Sequence, residues 1–151
     1  MPKTRIKTVI DTSILVSALK TKDEKRSPAW LILDYLKSKS LQNYISNEII
    51  EEMEITLFSV ALKFSCKPEY LDIIGKAHEI LQIIRGHSKK ITSKVDFSKD
   101  KAIKEKLEDD SDLKFLEVLY TAKAKHLITQ NTKHFGNFVI EKNKKNRQSK
   151  T

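Results

Sequence analysis

Short apolar runs alternate along this chain with longer segments of helical periodicity, and that alternation limits the folds open to it. Arg5 to Ile10 reads as a first strand finishing in Val9 and Ile10, and Tyr44-Ile45 as a second. Ile91 to Val95 reads as an edge strand, Leu127 to Thr129 as a buried one, and Phe138 to Ile140 as a last short strand. Between them lie helices. Ile14, Leu15, Ala18 and Leu19 share one face, and Ser27-Pro28 opens a second helix, with Trp30, Leu31, Leu33, Asp34, Tyr35 and Leu36 following at helical spacing. Ser46 or Asn47 caps a third, whose Ile49, Ile50, Met53, Leu57, Val60, Ala61 and Phe64 form an apolar stripe. Tyr70 to Ile84 is a fourth, stopped by Gly86. Asp96 to Asp109 is a charged loop or short helix. Asp110 or Ser111 caps the last long helix, with Leu113, Leu116, Leu119 and Tyr120 turned inward and Phe115 and Ala122 beside them. Thr132 to Phe135 is a turn or short helix. Because parallel neighbours need a crossover helix, this order predicts an α/β fold: a three-layer α/β/α sandwich around a central, mostly parallel sheet.

The apolar runs carry a second regularity. Asp11-Thr12-Ser13 follows TVI, the acids of Glu48 to Glu52 follow NYIS, Asp109 to Asp112 precede KFLEVL, and Asn131 follows HLIT. Three of these stretches fall at the carboxyl ends of strands, where open α/β sheets place their binding crevice. Carboxylates converging there repel one another unless a cation lies between them. Hard oxygen ligands in that number favour Mg²⁺ or Mn²⁺. The chain therefore reads as a metal-dependent enzyme.

Asp11 is the strongest candidate, since an acid directly after a core strand is costly to bury alone, although aspartate is also a good helix cap. Glu48, Glu51 and Glu52 share one helix, and helical geometry alone does not choose among them. Asp109, Asp110 and Asp112 put more negative charge at a helix start than one cap requires. Asn131 can ligate or hold water through its amide oxygen, or simply turn the chain. His78, His87, His126 and His134 show no paired metal spacing and read as structural or surface groups, with His134 near enough to Asn131 to touch substrate. Trp30, Tyr44 and Tyr70 read as core anchors.

Composition fits this picture. With 151 residues, a single domain over residues 1–140 can bury a sizeable core without staples, and residues 141–151 form a basic, disordered tail. The lone Cys66 forms no internal disulfide, and no zinc spacing exists, so a reducing cytoplasm is the expected setting. The apolar stretch behind the N-terminus is interrupted by Asp11 and resembles neither a signal peptide nor a membrane span. Net charge is +9, and the tail, with five basic residues and one acid, supplies only +4 of it. The excess favours a polyanionic partner, with Lys20, Lys22, Lys25, Arg26 and Lys133 as groups able to track a phosphate backbone or merely to solvate the surface.

The motifs together resemble the PIN domain. Asp11-Thr12-Ser13 with Ile14 to Leu19 behind it, Ser46-x-Glu48-Ile49-Ile50-x-Glu52, Asp109-x-x-Asp112-x-x-Phe115-Leu116 and Thr129-Gln130-Asn131-x-x-His134-Phe135 occur in family order and spacing. They are most similar to the toxin branch of prokaryotic toxin–antitoxin pairs. The resemblance implies Asp11, Glu52 and Asp112 as metal-holding acids and Asp109 as an accompanying one, with Thr12 and Ser13 beside them. Thr129 and Asn131 stand in the final Thr-Gly-Asp position, where Gln130 replaces glycine and Asn131 removes a charge, so one firmly held ion is expected.

By the same resemblance the activity is an endoribonuclease that hydrolyses phosphodiester bonds of single-stranded RNA, with catalytic residues Asp11, Glu52, Asp112 and Asn131. An antitoxin protein and a second copy of the chain, as a homodimer, are the implied partners. No Ser-His-Asp or Cys-His arrangement competes, and a haloacid-type phosphatase would need an acid where Ser13 stands. A PIN-like module of weak or lapsed activity, binding nucleic acid or protein, is the alternative.

Overall fold

β-branched and apolar residues at Val9, Ile10 and Ile45 leave two short strands buried at their carboxyl ends, and these form the centre of the sheet. The structure, a computed structural model, describes residues 5–106 and 112–130. The elements run β1 (Ile6–Ile10), α1 (Thr12–Lys20), α2 (Pro28–Lys37), β2 (Leu41–Ile45), α3 (Asn47–Phe64), α4 (Ile73–Gly86), β3 (Ser88–Lys90), α5 (Lys101–Lys106), α6 (Leu113–Ala122) and β4 (His126–Ile128). Single 3₁₀ turns at Glu24–Arg26 and Pro68–Tyr70 precede α2 and α4. All four described strands are parallel, in the order β3-β2-β1-β4.

That order places the crossovers. From β1 to β2 to β3 the chain advances across the sheet in one direction, then returns past β1 to lay down β4. Right-handed crossovers put α1 to α4 on one face and α5 and α6 on the other, which gives the three-layer α/β/α sandwich. Helix α6 packs on β1 and β2, while α1, α3 and α4 pack on one another. Buried Leu15, Leu19, Leu33, Ile49, Met53, Leu57, Ile80 and Phe115 fill the core between layers.

Local chemistry explains the helix starts. Ser27 Oγ accepts from the Trp30 N–H with Pro28 in the first turn, and Ser46 Oγ accepts from the Ile49 N–H. The Trp30 indole N–H donates to the Ala18 carbonyl at 2.9 Å, anchoring α2 to α1.

Four expectations need correction. The edge strand is Ser88–Lys90, not Ile91 to Val95: its polar residues suit an exposed edge, and Ile91 contributes one last N–H bond to Ile45 before the chain leaves the sheet. Residues 93–97 are then tied to α6, with the Lys94 N–H on Thr121 Oγ1 and the Phe97 N–H on Glu117 Oε2. Helix α4 begins at Ile73 and contains Gly86, because the chain near Pro68 first makes a separate 3₁₀ turn. Tyr120 is 43% exposed and meets Phe97 edge to face, whereas Val118 is buried in the core. The strand expected to be buried runs His126–Ile128 and is half-buried throughout, and Thr129 lies just beyond it. The expected features at Asp109, Asp110, Ser111, Asn131, Thr132 to Phe135, Phe138 to Ile140 and the tail lie outside the described residues.

Candidate active site

Because β2 and β4 flank β1 on opposite sides, the sheet's topological switch point lies between β1 and β4. Ligands of open α/β sheets bind at such a point, beyond the strand carboxyl ends. Asp11 and Thr129 stand there, one residue past each strand.

Asp11 is 3% exposed. It occupies the N-cap position of α1, yet its side chain makes no capping hydrogen bond. Instead Oδ2 accepts from Ser13 Oγ and Thr129 Oγ1, each at 2.7 Å. Each hydroxyl has a single proton, so both are spent on Asp11 and the 3.2 Å approach of the two hydroxyl oxygens is contact without a bond. A lone pair of Ser13 Oγ then accepts the Gln130 N–H at 3.0 Å. Gln130 also donates from Nε2 to Ser17 Oγ. Among the described non-glycine residues only Lys39 and Lys123 have positive φ, so this turn does not require glycine at Gln130.

The strand beneath is pinned by a residue that periodicity passes over. Asn43 on β2 is 1% exposed, and its Oδ1 accepts the Ile10 N–H at 2.9 Å while Nδ2 donates to Ser88 Oγ. One amide thus ties β1, β2 and β3 directly before Asp11. A polar residue inside an apolar strand was the signal that could have found it.

The three candidate acids of helix α3 differ in their surroundings. Glu48 and Glu51 are exposed, whereas Glu52 Oε2 accepts from Thr12 Oγ1 at 2.5 Å and Oε1 meets Lys114 Nζ at 2.8 Å. The Lys114 and Glu52 side chains are 16% and 25% exposed. Lys114 was not singled out by the motif, and only the approach of α6 to α3 brings it to Glu52. Asp112 is 6% exposed at the N-cap position of α6, and its side chain does not cap that helix.

The structure therefore joins Asp11, Ser13 and Thr129 in one bonded group, and Thr12, Glu52 and Lys114 in another. The two are linked through the backbone of Asp11-Thr12, and Asp112 lies buried at the start of α6, the helix that carries Lys114. Asp109 and Asn131 lie outside the described residues, as do Lys133 and His134. Lys20, Lys25 and Arg26 are exposed, and Lys22 pairs with Glu69 at 2.8 Å, which holds that ammonium's pKa above its usual value. These four lie at or beyond the far end of α1, roughly 12 Å along its axis from Asp11.

Beside Lys114 lies a cavity of about 180 Å³, lined also by Ser46, Glu48, Thr92 and Glu117. Burial pushes the Glu117 carboxyl up from its ordinary value, against the Phe97 N–H bond that favours its charge, and Asp96 and Glu48 push the same way as burial.

The donor set is all oxygen, carboxylates and hydroxyls, which fits a hard divalent ion. Among the described residues, no group of three or more His, Cys, Asp or Glu is gathered closely enough to hold one. No described helix is long and apolar enough to cross a membrane.

A parallel α/β sandwich with a buried acid at its switch point defines the class. Residues 7–133 match the family model described as PIN domain, and the chain belongs to that family. PIN domains are generally nucleases, hydrolases of phosphodiester bonds, and typically use divalent metal ions. Comparison with curated proteins finds no match.

Proposed function

We propose that this protein is a metal-dependent endoribonuclease that cuts single-stranded RNA, and that it serves as the toxin of a type II toxin–antitoxin pair. One observation carries the metal dependence. Asp11 is buried and accepts two neutral hydroxyls, and among the described residues no ammonium or guanidinium pairs with it. A buried carboxylate held only by neutral donors stays costly, by several kcal/mol in the least favourable case, and a divalent ion would offset that cost.

Asp11, Glu52 and Asp112 would hold Mg²⁺ or Mn²⁺ there. When bound, such an ion supplies an activated water and screens the phosphate charge. The chain's own residues do the rest. Ser13 and Thr129 fix the orientation of the Asp11 carboxylate, Thr12 fixes that of Glu52, and Asn43 holds the β1 end on which both rely. Asn131, the next residue after Gln130, is proposed to orient water or substrate through its amide. A net charge of +9 supports a polyanionic substrate. An antitoxin covering the crevice, pairing of two copies and a cytoplasmic setting belong to the same proposal.

The test is Mn²⁺-dependent cleavage of a single-stranded RNA by the wild type beside Asp11→Ala. Cleavage that is lost in the variant and on adding a chelator supports the enzyme. A folded wild type that never cleaves supports a binding module instead.

A further inference from the structure

The acids of the crevice are not treated alike. Among the described residues Asp11 has hydroxyl partners alone, while Glu52 has an ammonium within 2.8 Å. The Lys114–Glu52 pair is largely sheltered, so solvent screens it less than a surface pair. It also spans the two helical layers, joining α3 to α6 beyond the sheet. If Glu52 is to serve a divalent ion, one of its oxygens already has a cation on it.

We infer that Lys114 is a built-in counter-ion of this site: it holds Glu52 in position until a divalent ion arrives, and the ion displaces its ammonium into the adjoining cavity. This rests on the metal-dependent reading above.

Three features of the structure support it. Lysine carries a compact charge on a flexible four-carbon stem, so the ammonium can move while the α6 backbone stays fixed. The cavity of about 180 Å³ beside it has Lys114 in its wall and the carboxylates Glu48 and Glu117 as further lining, so a displaced ammonium meets new anionic partners rather than an apolar surface. And Thr12 Oγ1 keeps its bond to the other Glu52 oxygen, so the carboxylate is not released when the ammonium leaves. Lys114 is thus a positioning residue that acts through Glu52 and competes with the ion it prepares for.

The competition fixes the sign of the test. A positive charge a few ångströms from an incoming cation opposes its binding, so neutralising that charge strengthens the binding. Mn²⁺ alone is titrated calorimetrically into the full chain, with circular-dichroism melting to establish that each variant is folded. Lys114→Met is expected to bind Mn²⁺ about three- to tenfold more tightly than the wild type. Lys114→Arg keeps the charge and is expected to match the wild type or bind more weakly. In a Glu52→Gln background, where no ion pair has to be broken and only the ammonium's repulsion of the ion remains, the gain from Lys114→Met is expected to be markedly smaller.

Unchanged or weaker binding by folded Lys114→Met overturns the inference, as does a gain that is undiminished in the Glu52→Gln background. If the wild type binds Mn²⁺ and Lys114→Met merely matches it, the metal-dependent reading stands and only this inference falls. If no variant binds Mn²⁺, both fall together.

Discussion

Two carboxylates at the same end of the sheet solve one electrostatic problem in different ways. At the switch point between β1 and β4, Asp11 is almost wholly buried and is held by the hydroxyls of Ser13 and Thr129. At the junction of α3 and α6, Glu52 is less buried and is held by one hydroxyl and an ammonium. Hydroxyls orient a carboxylate without cancelling its charge, whereas an ammonium does both. Among the described residues the first region therefore keeps an unmet demand for positive charge and the second does not, which makes Asp11 the more sensitive of the two.

The comparison breaks first at Asp11. Asp11→Asn keeps the size and the acceptor oxygen but removes the charge, so RNA cleavage is expected to fall by ~10²-fold or more while the melting temperature changes little. Equal cleavage by wild type and variant in a gel assay would remove the reason for treating the two acids differently.

Asn43→Ala tests the frame under the first region. It leaves the Ile10 N–H buried and unpaired and opens a gap between three strands, so unfolding by urea is expected to show a loss of ~2–3 kcal/mol. A loss no larger than that of an ordinary surface substitution would show that β1 is fixed by its ladder bonds alone.

The two hydroxyls sharpen the contrast. Thr129→Val removes one of two donors to a buried charge and is expected to cost ~1.5–2 kcal/mol, whereas Thr12→Val leaves Glu52 with its ammonium and is expected to cost less, about 1 kcal/mol. Reversed order in matched denaturant titrations would mean that Glu52, not Asp11, is the more dependent on neutral donors.

Glu117 gives the smallest effect. Burial first, with Asp96 and Glu48 adding to it, raises its folded pKa above the unfolded value. A carboxyl shifted upward takes up its proton more readily in the folded state, so its contribution favours folding at low pH and is lost as pH rises through the raised value. Glu117→Gln keeps an acceptor for the Phe97 N–H and is expected to melt slightly higher than the wild type at pH 7, with the difference shrinking as pH falls toward the usual carboxylate range. A difference that does not change with pH would assign the effect to packing.

Much of the fold is legible in the residues. Buried Ile14, Leu15, Ala18 and Leu19 on α1, and Ile49, Met53, Leu57 and Ala61 on α3, follow directly from 3.6-residue spacing. Short strands ending at Asp11 and Ser46 follow from apolar runs closed by polar capping residues. The edge strand was not legible in the same way. Ser88–Lys90 has almost no apolar signal, because an outermost strand exposed to water does not need one, and the apolar Ile91 beside it drew the reading downstream.

The sequence by itself determined the alternation of elements, the face each helix buries and the presence of acids at strand ends, because these depend on neighbours within a turn or two of the chain. Only the tertiary structure decided that Glu52 rather than Glu48 or Glu51 accepts from Thr12 beside Asp11, that Thr129 reaches Asp11 from 118 residues away, and that Lys114 pairs with Glu52. Those pairings are set by the strand order and by which layers meet beyond the sheet. Local periodicity carries no record of either, since it fixes where a side chain points on its own element and not which distant element will be packed against it.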